Sequence, residues 1–168
     1  MASTDPNTRV EITEGAVGKL IVAVNDFPAG TTMTESICSA AEVLSEPTMY
    51  TVQVAPGKHV DVKSPLMYTA HSCNPSGKIV VSEQADGGWT VQVESTRALA
   101  KGDWVTFDYN STEWDMQSPF DCACGAAACR KSIKGAKHLS KADATALLPF
   151  CSGVIAGKLA ASTLAATS

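Results

Sequence analysis

Apolar residues along this chain fall into short runs and strict alternations, with few long helical stretches. Val10 and Ile12 alternate with polar neighbours, and residues 20–24 form a compact apolar run. Phe27-Pro-Ala-Gly30 turns into a second short extended piece at residues 31–33. Residues 49–54 read as a strand, Ala-Pro-Gly57 as a turn, and residues 59–62 as its alternating hairpin partner. A clearer hairpin joins residues 78–82 to residues 89–93 through Ala85-Asp-Gly-Gly88, whose Asp-Gly supplies positive-φ turn residues. Lys101-Gly-Asp103 turns the chain into an apolar strand over residues 104–109. Helix is expected in two places. Residues 36–44 form a short one stopped before Pro47, and SKADATALL is capped by Ser140, with Asp143 in the role of a shortened capping box, and stopped before Pro149. An Ala-rich tail runs to Ser168, and the polar first eight residues read as a frayed, disordered end. The pattern predicts a mostly β, β-rich α+β domain with a helical C-terminal appendage, which excludes doubly wound α/β folds and bundles.

Composition narrows the picture. At 168 residues the chain is expected to be one domain that buries a core without disulfides. Its formal charge of −4 and the short, mixed basic run at residues 130–141 argue against direct nucleic-acid binding. No apolar run reaches the roughly 18 residues that cross a bilayer, and the first residues lack the basic start and apolar centre of a secretory signal. The expected setting is intracellular: cytoplasm, or nucleus in a eukaryote. Thiols stay reduced there, so the six cysteines read as metal ligands or buried thiols rather than disulfides.

Three of those cysteines sit within eight residues as Cys122-Ala-Cys124-Gly-Ala-Ala-Ala-Cys129. A loop hinged at Gly125 can wrap three thiolates around one tetrahedral zinc, and the fourth ligand must come from elsewhere: Cys73, Cys38 or Cys151. The competing reading is a set of buried or redox-active thiols. An all-thiolate site keeps no position open for water, so such a zinc is structural.

Three further segments, in order, resemble the SET domain of protein-lysine methyltransferases. His71-Ser-Cys-Asn-Pro75 is similar to the family's NHSCxPN, and Gly102-Asp-Trp-Val-Thr-Phe-Asp-Tyr-Asn110 to its GEELTFDYN. Phe120-Asp-Cys-Ala-Cys-Gly, continuing through Cys129-Arg-Lys-Ser-Ile-Lys-Gly135, is similar to the post-SET FxCxCGxxxCRGxIxG. Phe27-Pro-Ala-Gly30 matches the family's DIPAGT turn, and the resemblance covers roughly residues 10 to 139. It implies a β-clip of short sheets with a knot-like crossing between the HSCNP segment and the tyrosine strand, an exception to unthreaded connections. It further implies a SET domain over residues 9–117, a post-SET zinc segment over 118–139 and a helical extension over 140–168. Cys73 becomes the fourth zinc ligand beside Cys122, Cys124 and Cys129.

The implied function is methyl transfer from S-adenosylmethionine to a lysine amine of a basic protein or lysine-containing peptide, without nucleic acid or membrane as partner. In-line displacement needs a neutral amine, aligned reactants and a narrow channel that excludes water. Tyr109 matches the tyrosine of the transfer site, and it also belongs to the cofactor contacts. Phe107 matches the position governing methylation number, where a phenylalanine implies dimethyl or trimethyl product. Tyr50 and Tyr68 match channel walls, with a plain core role as the alternative for Tyr68. Gly18 and Lys19 match the cofactor-binding GxG loop that begins at Val17, while Ala70, His71, Ser72 and Phe120 take the remaining cofactor positions, with a core anchor for the loop as the alternative for Phe120. The chain departs from the family pattern at Leu20 (second glycine), Ala70 (first asparagine) and Ser76 (last asparagine). Those departures motivate the alternative reading, a degenerate SET fold kept as a zinc-stabilised protein-binding module without methyl transfer.

Overall fold

The computed structural model describes residues 9–15, 18–48 and 50–165. The expected disorder of residues 1–8, and the positions of Val17 and Met49, lie outside them. Strand β1 (Val10–Gly15) and β2 (Gly18–Ala23) form an antiparallel hairpin whose register closes at Gly15 opposite Gly18. The second hairpin strand carries the apolar run, and Leu20, Ile21, Val22 and Ala23 are all buried. Leu20 packs over the hairpin neck so closely that a Cβ on Gly15 would lie 2.4 Å from its Cδ2. The bulk introduced at Leu20 is therefore accommodated inside the core, 1% exposed, with Gly15 making room.

Residues 36–44 do not form the expected helix. Strand β3 (Thr32–Cys38) takes their first part, followed by a single 3-10 turn at Ala40–Glu42 and the two-residue strand β4 (Val43–Leu44). The reason is tertiary: β3 pairs with the strictly alternating β9 (Trp89–Ser95), and a bulge at Met33 shifts the pattern by one residue. Ser36 then occupies a core position, its Oγ accepting the Lys63 N–H at 3.4 Å. Bulge and buried polar residue together hide the period-2 signal.

The two predicted hairpins form. Strand β5 (Thr51–Ala55) pairs with β6 (Lys58–Asp61), whose other edge holds β4. Strand β8 (Gly77–Glu83) pairs with β9 across the Asp-Gly-Gly turn, and β9 lies between β8 and β3. The strand expected over residues 104–109 shortens to β10 (Thr106–Phe107) with a bridge from Trp104 to Val22, because Tyr109 already opens a 3-10 turn, Tyr109–Ser111. That turn is capped by Asp108, whose side chain accepts the Asn110 N–H.

Strand β10 runs parallel to the two-residue β7 (Ala70–His71), pairing Thr106 with Ala70 and Phe107 with His71. Parallel pairing of segments 36 residues apart in sequence brings HSCNP beside the tyrosine turn. Ser76 reinforces it: its Oγ donates to the Trp104 carbonyl at 2.8 Å and accepts the Thr106 N–H at 2.9 Å.

Beyond Tyr109 the chain leaves the core, forms β11 (Phe120–Asp121), rounds the cysteine loop and returns through β12 (Ser132–Ile133). The return path is stitched to the outgoing one by Met116 N–H to Lys134, Ala136 N–H to Glu113 and Lys137 N–H to Trp114. Helix α1 (Lys141–Leu147) starts at the predicted cap, Ser140 accepting the Asp143 N–H at 3.1 Å, and α2 (Gly153–Ala165) buries Ile155 and Leu159 against Ala136 and Trp114. The main core gathers Ile21, Val60, Val91, Val93, Val105 and Leu99 between the small sheets.

Gly135 marks the tightest point of the return. Its φ is +107°, and a Cβ there would lie 2.6 Å from the Trp114 carbonyl oxygen. Gly135→Ala is expected to cost about 3 kcal/mol in urea denaturation. Gly57→Ala, also at positive φ but in open space, should cost only about 1 kcal/mol. Equal effects at the two positions would contradict the packing assigned to Gly135.

Candidate active site and cysteine cluster

The site is assembled from β7, β10, the turn that follows β10, and the loop into β11. Phe107 and Tyr109 lie 4.8 Å apart between ring centroids, and His71 and Phe120 pack edge-on to Tyr109 at 5.2 and 5.9 Å. The Tyr109 hydroxyl donates to the Thr69 carbonyl at 3.0 Å. Its proton is thereby committed to the main chain, and the lone pairs of the phenolic oxygen are left as acceptors. Burial holds the Tyr109 phenol above its ordinary pKa, so it stays protonated across the physiological range.

His71 is a buried spacer. Its Nδ1 accepts the Tyr109 N–H at 3.1 Å, which places the ring hydrogen on Nε2, 3.4 Å from Cys73 Sγ. Burial lowers its pKa, Asp108 works against that and Arg130 adds to it. Below it lies Asp108, 1% exposed, which accepts both the main-chain and side-chain N–H of Asn110 and a hydrogen bond from the Arg130 guanidinium. Asn110 Oδ1 in turn accepts the Gly135 N–H at 2.9 Å. Arg130 also donates its main-chain N–H to Cys73 Sγ at 3.4 Å.

The sulfur atoms of Cys73, Cys122, Cys124 and Cys129 lie within 4.8 Å of one another. Cys73 and Cys122 are 4.0 Å apart. Four sulfurs about 2.3 Å from a tetrahedral zinc would be separated by about 3.8 Å, so the donor set and its spacing fit that ion. Cys38 and Cys151 are elsewhere, their thiols directed at the Asp61 and Leu147 carbonyls. Burial pushes Cys122 up to about 12. Burial opposes ionisation of Cys124 too, but main-chain contacts at Cys73 and Ala126 and the neighbouring thiols outweigh it and bring that thiol down to about 6.

A cavity of about 250 Å³ opens beside this cluster, walled by Phe107, Tyr109, Phe120, Tyr50, Val52 and Leu66 among others. Tyr50 stands at its exposed rim, 55% accessible. The remaining expected site residues do not line it. Tyr68 packs against the main core and carries Lys19 Nζ 5.7 Å from its ring centroid. Gly18 sits at the β1–β2 turn with φ +95° and nothing within 4 Å of a Cβ position. Ala70 is half-buried in β7, and Ser72 donates its N–H to the Phe107 carbonyl at 3.1 Å.

Two features escape a sequence reading. Asp108 and Arg130 lie inside familiar motifs, but only the fold reveals that they face one another. Glu113 looks like a loop residue, yet it lines the cavity, and burial pushes its carboxyl up to about 7, with Lys158 drawing it partly back.

No protein-family model matches the chain. The fold is that of SET-domain structures: KRYPTONITE in complex with mCHG DNA and SAH superimposes with a TM-score of 0.60 at 20% identity, over 76% of this chain and 29% of that one. SET-domain methyltransferases are homologues of this chain. Methyltransferase flvH of Aspergillus flavus is 37% identical over 113 residues, 66% of this chain and 61% of that protein. The H3 lysine-36 specific histone-lysine N-methyltransferase of Debaryomyces hansenii is 39% identical over 82 residues, 47% of this chain and 10% of that protein. The chain thus matches less than two thirds of either relative's length. Among the described residues, no helix is long and apolar enough to cross a membrane.

The Asp108–Arg130 pair generates a stability prediction. Asp108→Asn leaves the guanidinium without its buried partner and should cost about 3 kcal/mol by urea denaturation. Adding Arg130→Met should recover part of that loss. A double variant as unstable as the sum of the two single variants would show that the pair is uncoupled.

Proposed function

We propose that the protein transfers methyl groups from S-adenosylmethionine to the side-chain amine of a lysine in a protein substrate, with Tyr109 as the catalytic residue. The observation that carries this reading is the Tyr109 hydroxyl, held by the Thr69 carbonyl on the wall of a cavity lined by aromatic rings. The homology to SET-domain methyltransferases supports the methyl-transfer class. The lysine acceptor is the finer step, supported by the histone-lysine relatives and by the aromatic lining of the cavity.

S-adenosylmethionine supplies an electrophilic sulfonium methyl. The chain's own residues supply the rest. With its proton committed to Thr69, the Tyr109 oxygen offers lone pairs to an amine N–H and to a polarised methyl group. Phe107, Phe120 and Tyr109 exclude water and present π faces to a cationic head group, which compensates its desolvation. Phe107 carries no hydroxyl to anchor a water, so the cavity admits dimethylated and trimethylated amines. Gly18, Lys19, Ala70, His71, Ser72 and Phe120, together with Tyr109, are the residues assigned to the cofactor. Leu20 points into the core and does not obstruct them. Ala70 removes one polar contact of the family pattern, worth about tenfold to a hundredfold in affinity.

Zinc would be held by Cys73, Cys122, Cys124 and Cys129. Such an ion joins the β7 side of the crossing to the loop that carries Phe120, so metal binding is coupled to ordering of the cavity wall.

Calorimetric titration with S-adenosylmethionine tests the proposal. Binding is expected, with displacement by S-adenosylhomocysteine, and Tyr109→Phe should retain it while losing about a hundredfold in turnover on a lysine-peptide library. Absence of binding at millimolar cofactor would leave the zinc-stabilised binding module as the function.

Metal analysis tests the second component. About one zinc per chain is expected, and Cys73→Ser should reduce it as far as Cys124→Ser does. Loss confined to the downstream cysteines would remove Cys73 from the ligand set.

A further inference from the structure

The buried part of the cavity's polar lining is one-sided, while Thr48, Tyr50, Gln117 and Ser118 of the lining are exposed. Thr51, Thr69 and Thr112 are buried, and their hydroxyls donate to the main-chain carbonyls of Thr48, Leu66 and Tyr109. Tyr109 donates to Thr69 in the same way. The buried hydroxyls therefore present lone pairs, not hydrogens, to whatever enters. The charged residues of the lining are both acidic, Glu113 and Asp115. Asp115 is exposed and already paired with Lys137 at 2.7 Å and His138 at 2.8 Å. Glu113 makes no side-chain hydrogen bond or ion pair with another described residue, and Lys158 of α2, its Nζ over the Trp114 ring, acts on it only through the field. A cavity whose buried hydroxyls present acceptors, with one carboxylate held by no hydrogen bond, fits a donor-rich cation and repels an anion.

From this geometry we infer that Glu113 is a catalytic carboxylate that binds the incoming ammonium group in the cavity and takes its proton before methyl transfer. The inference rests on the methyl-transfer reading above. The step balances simply. An ammonium N–H proton passes to the Glu113 carboxylate, leaving a neutral amine and a carboxylic acid. The amine nitrogen then forms its bond to the sulfonium methyl as the carbon–sulfur bond breaks, and its electron pair stays on the thioether sulfur. Glu113 later releases the proton to solvent through the open rim. Desolvation lifts a carboxyl and lowers an ammonium, so the shared apolar setting brings donor and acceptor towards each other. Lys158 is the charged group that acts on Glu113; Tyr109 and Asp115 line the same cavity, and Asp115 is paired with Lys137 and His138.

The test uses the full chain with its metal, n-butylammonium as the cationic probe and n-pentanol as the neutral one, followed by NMR at pH 8. Glu113→Gln should weaken n-butylammonium binding at least tenfold and leave n-pentanol unchanged, with Glu113→Asp recovering part of the loss. In turnover, the parent protein should show an acidic limb near pH 7 that Glu113→Gln lacks. Stability gives an independent check of the half-buried carboxylate. A carboxyl raised in the folded state contributes stability at low pH that is lost as pH rises through about 7. Glu113→Gln should therefore be more stable than the parent above pH 7, with the gap closing towards the ordinary carboxyl range. Equal n-butylammonium affinity in parent and Glu113→Gln overturns the inference, even if methyl transfer is found. Loss of binding in Glu113→Gln upholds the ammonium site even if S-adenosylmethionine fails to bind, in which case proton transfer falls with the methyl-transfer reading.

Discussion

The buried Asp108 carboxylate is the constraint on which the site depends. Almost fully removed from water, it must be satisfied by hydrogen bonds and an opposite charge. Asn110 and Arg130 meet that requirement from either side of the cysteine loop. Asn110 then holds Gly135, Arg130 holds Cys73, and His71 fills the space between the carboxylate and the cysteines. One charge thus fastens the tyrosine turn, the HSCNP segment, the cysteine loop and the returning strand together. Tyr109 is positioned as a consequence. Its main chain is fixed by His71 and its hydroxyl by Thr69, so the aromatic wall has little freedom to rotate away.

The cysteine cluster works on the same elements from outside. Four thiols packed within 4.8 Å add to the effects of burial and main-chain contacts, and Cys122 and Cys124 are driven in opposite directions. A zinc ion would resolve that conflict by favouring every thiolate. Cysteine cluster and aromatic cavity are therefore linked through Cys73, two residues from His71, more directly than the chain's order suggests. The stretch containing Tyr109 and the cysteines behaves as one unit because both of its halves close on the same short strand.

Much of this was legible in the residues, and the parts that were not have physical causes. Asp-Gly and Pro-Gly turns bound their hairpins because turn chemistry is local. Ser140 marked a helix start for the same reason. Residues 36–44 misled, because a bulge at Met33 and a core serine broke the alternation that identifies a strand. The 104–109 strand proved shorter, because the Asp108 cap turns the chain at Tyr109. Of the residues expected to wall a channel, Tyr50 and Phe107 meet at one cavity with Tyr109, whereas Tyr68 packs with Lys19 in another direction that no local pattern could specify. Glu113 was invisible for a different reason. A single acidic residue in a polar loop carries no sign of burial, and its environment is made by the returning chain and α2.

The departures at Leu20 and Ser76 now have structural accounts. Leu20 is absorbed by the core over Gly15, and Ser76 fastens the crossing through Thr106 and Trp104. Ala70 is the departure that still bears on the cofactor. The most direct measurement is a crystal structure with zinc and S-adenosylhomocysteine. The account predicts one zinc among the four cysteine sulfurs and the homocysteine sulfur at the inner end of the cavity, facing the Tyr109 hydroxyl. S-adenosylhomocysteine bound away from Tyr109, or a chain that excludes it at saturating concentration, would contradict it.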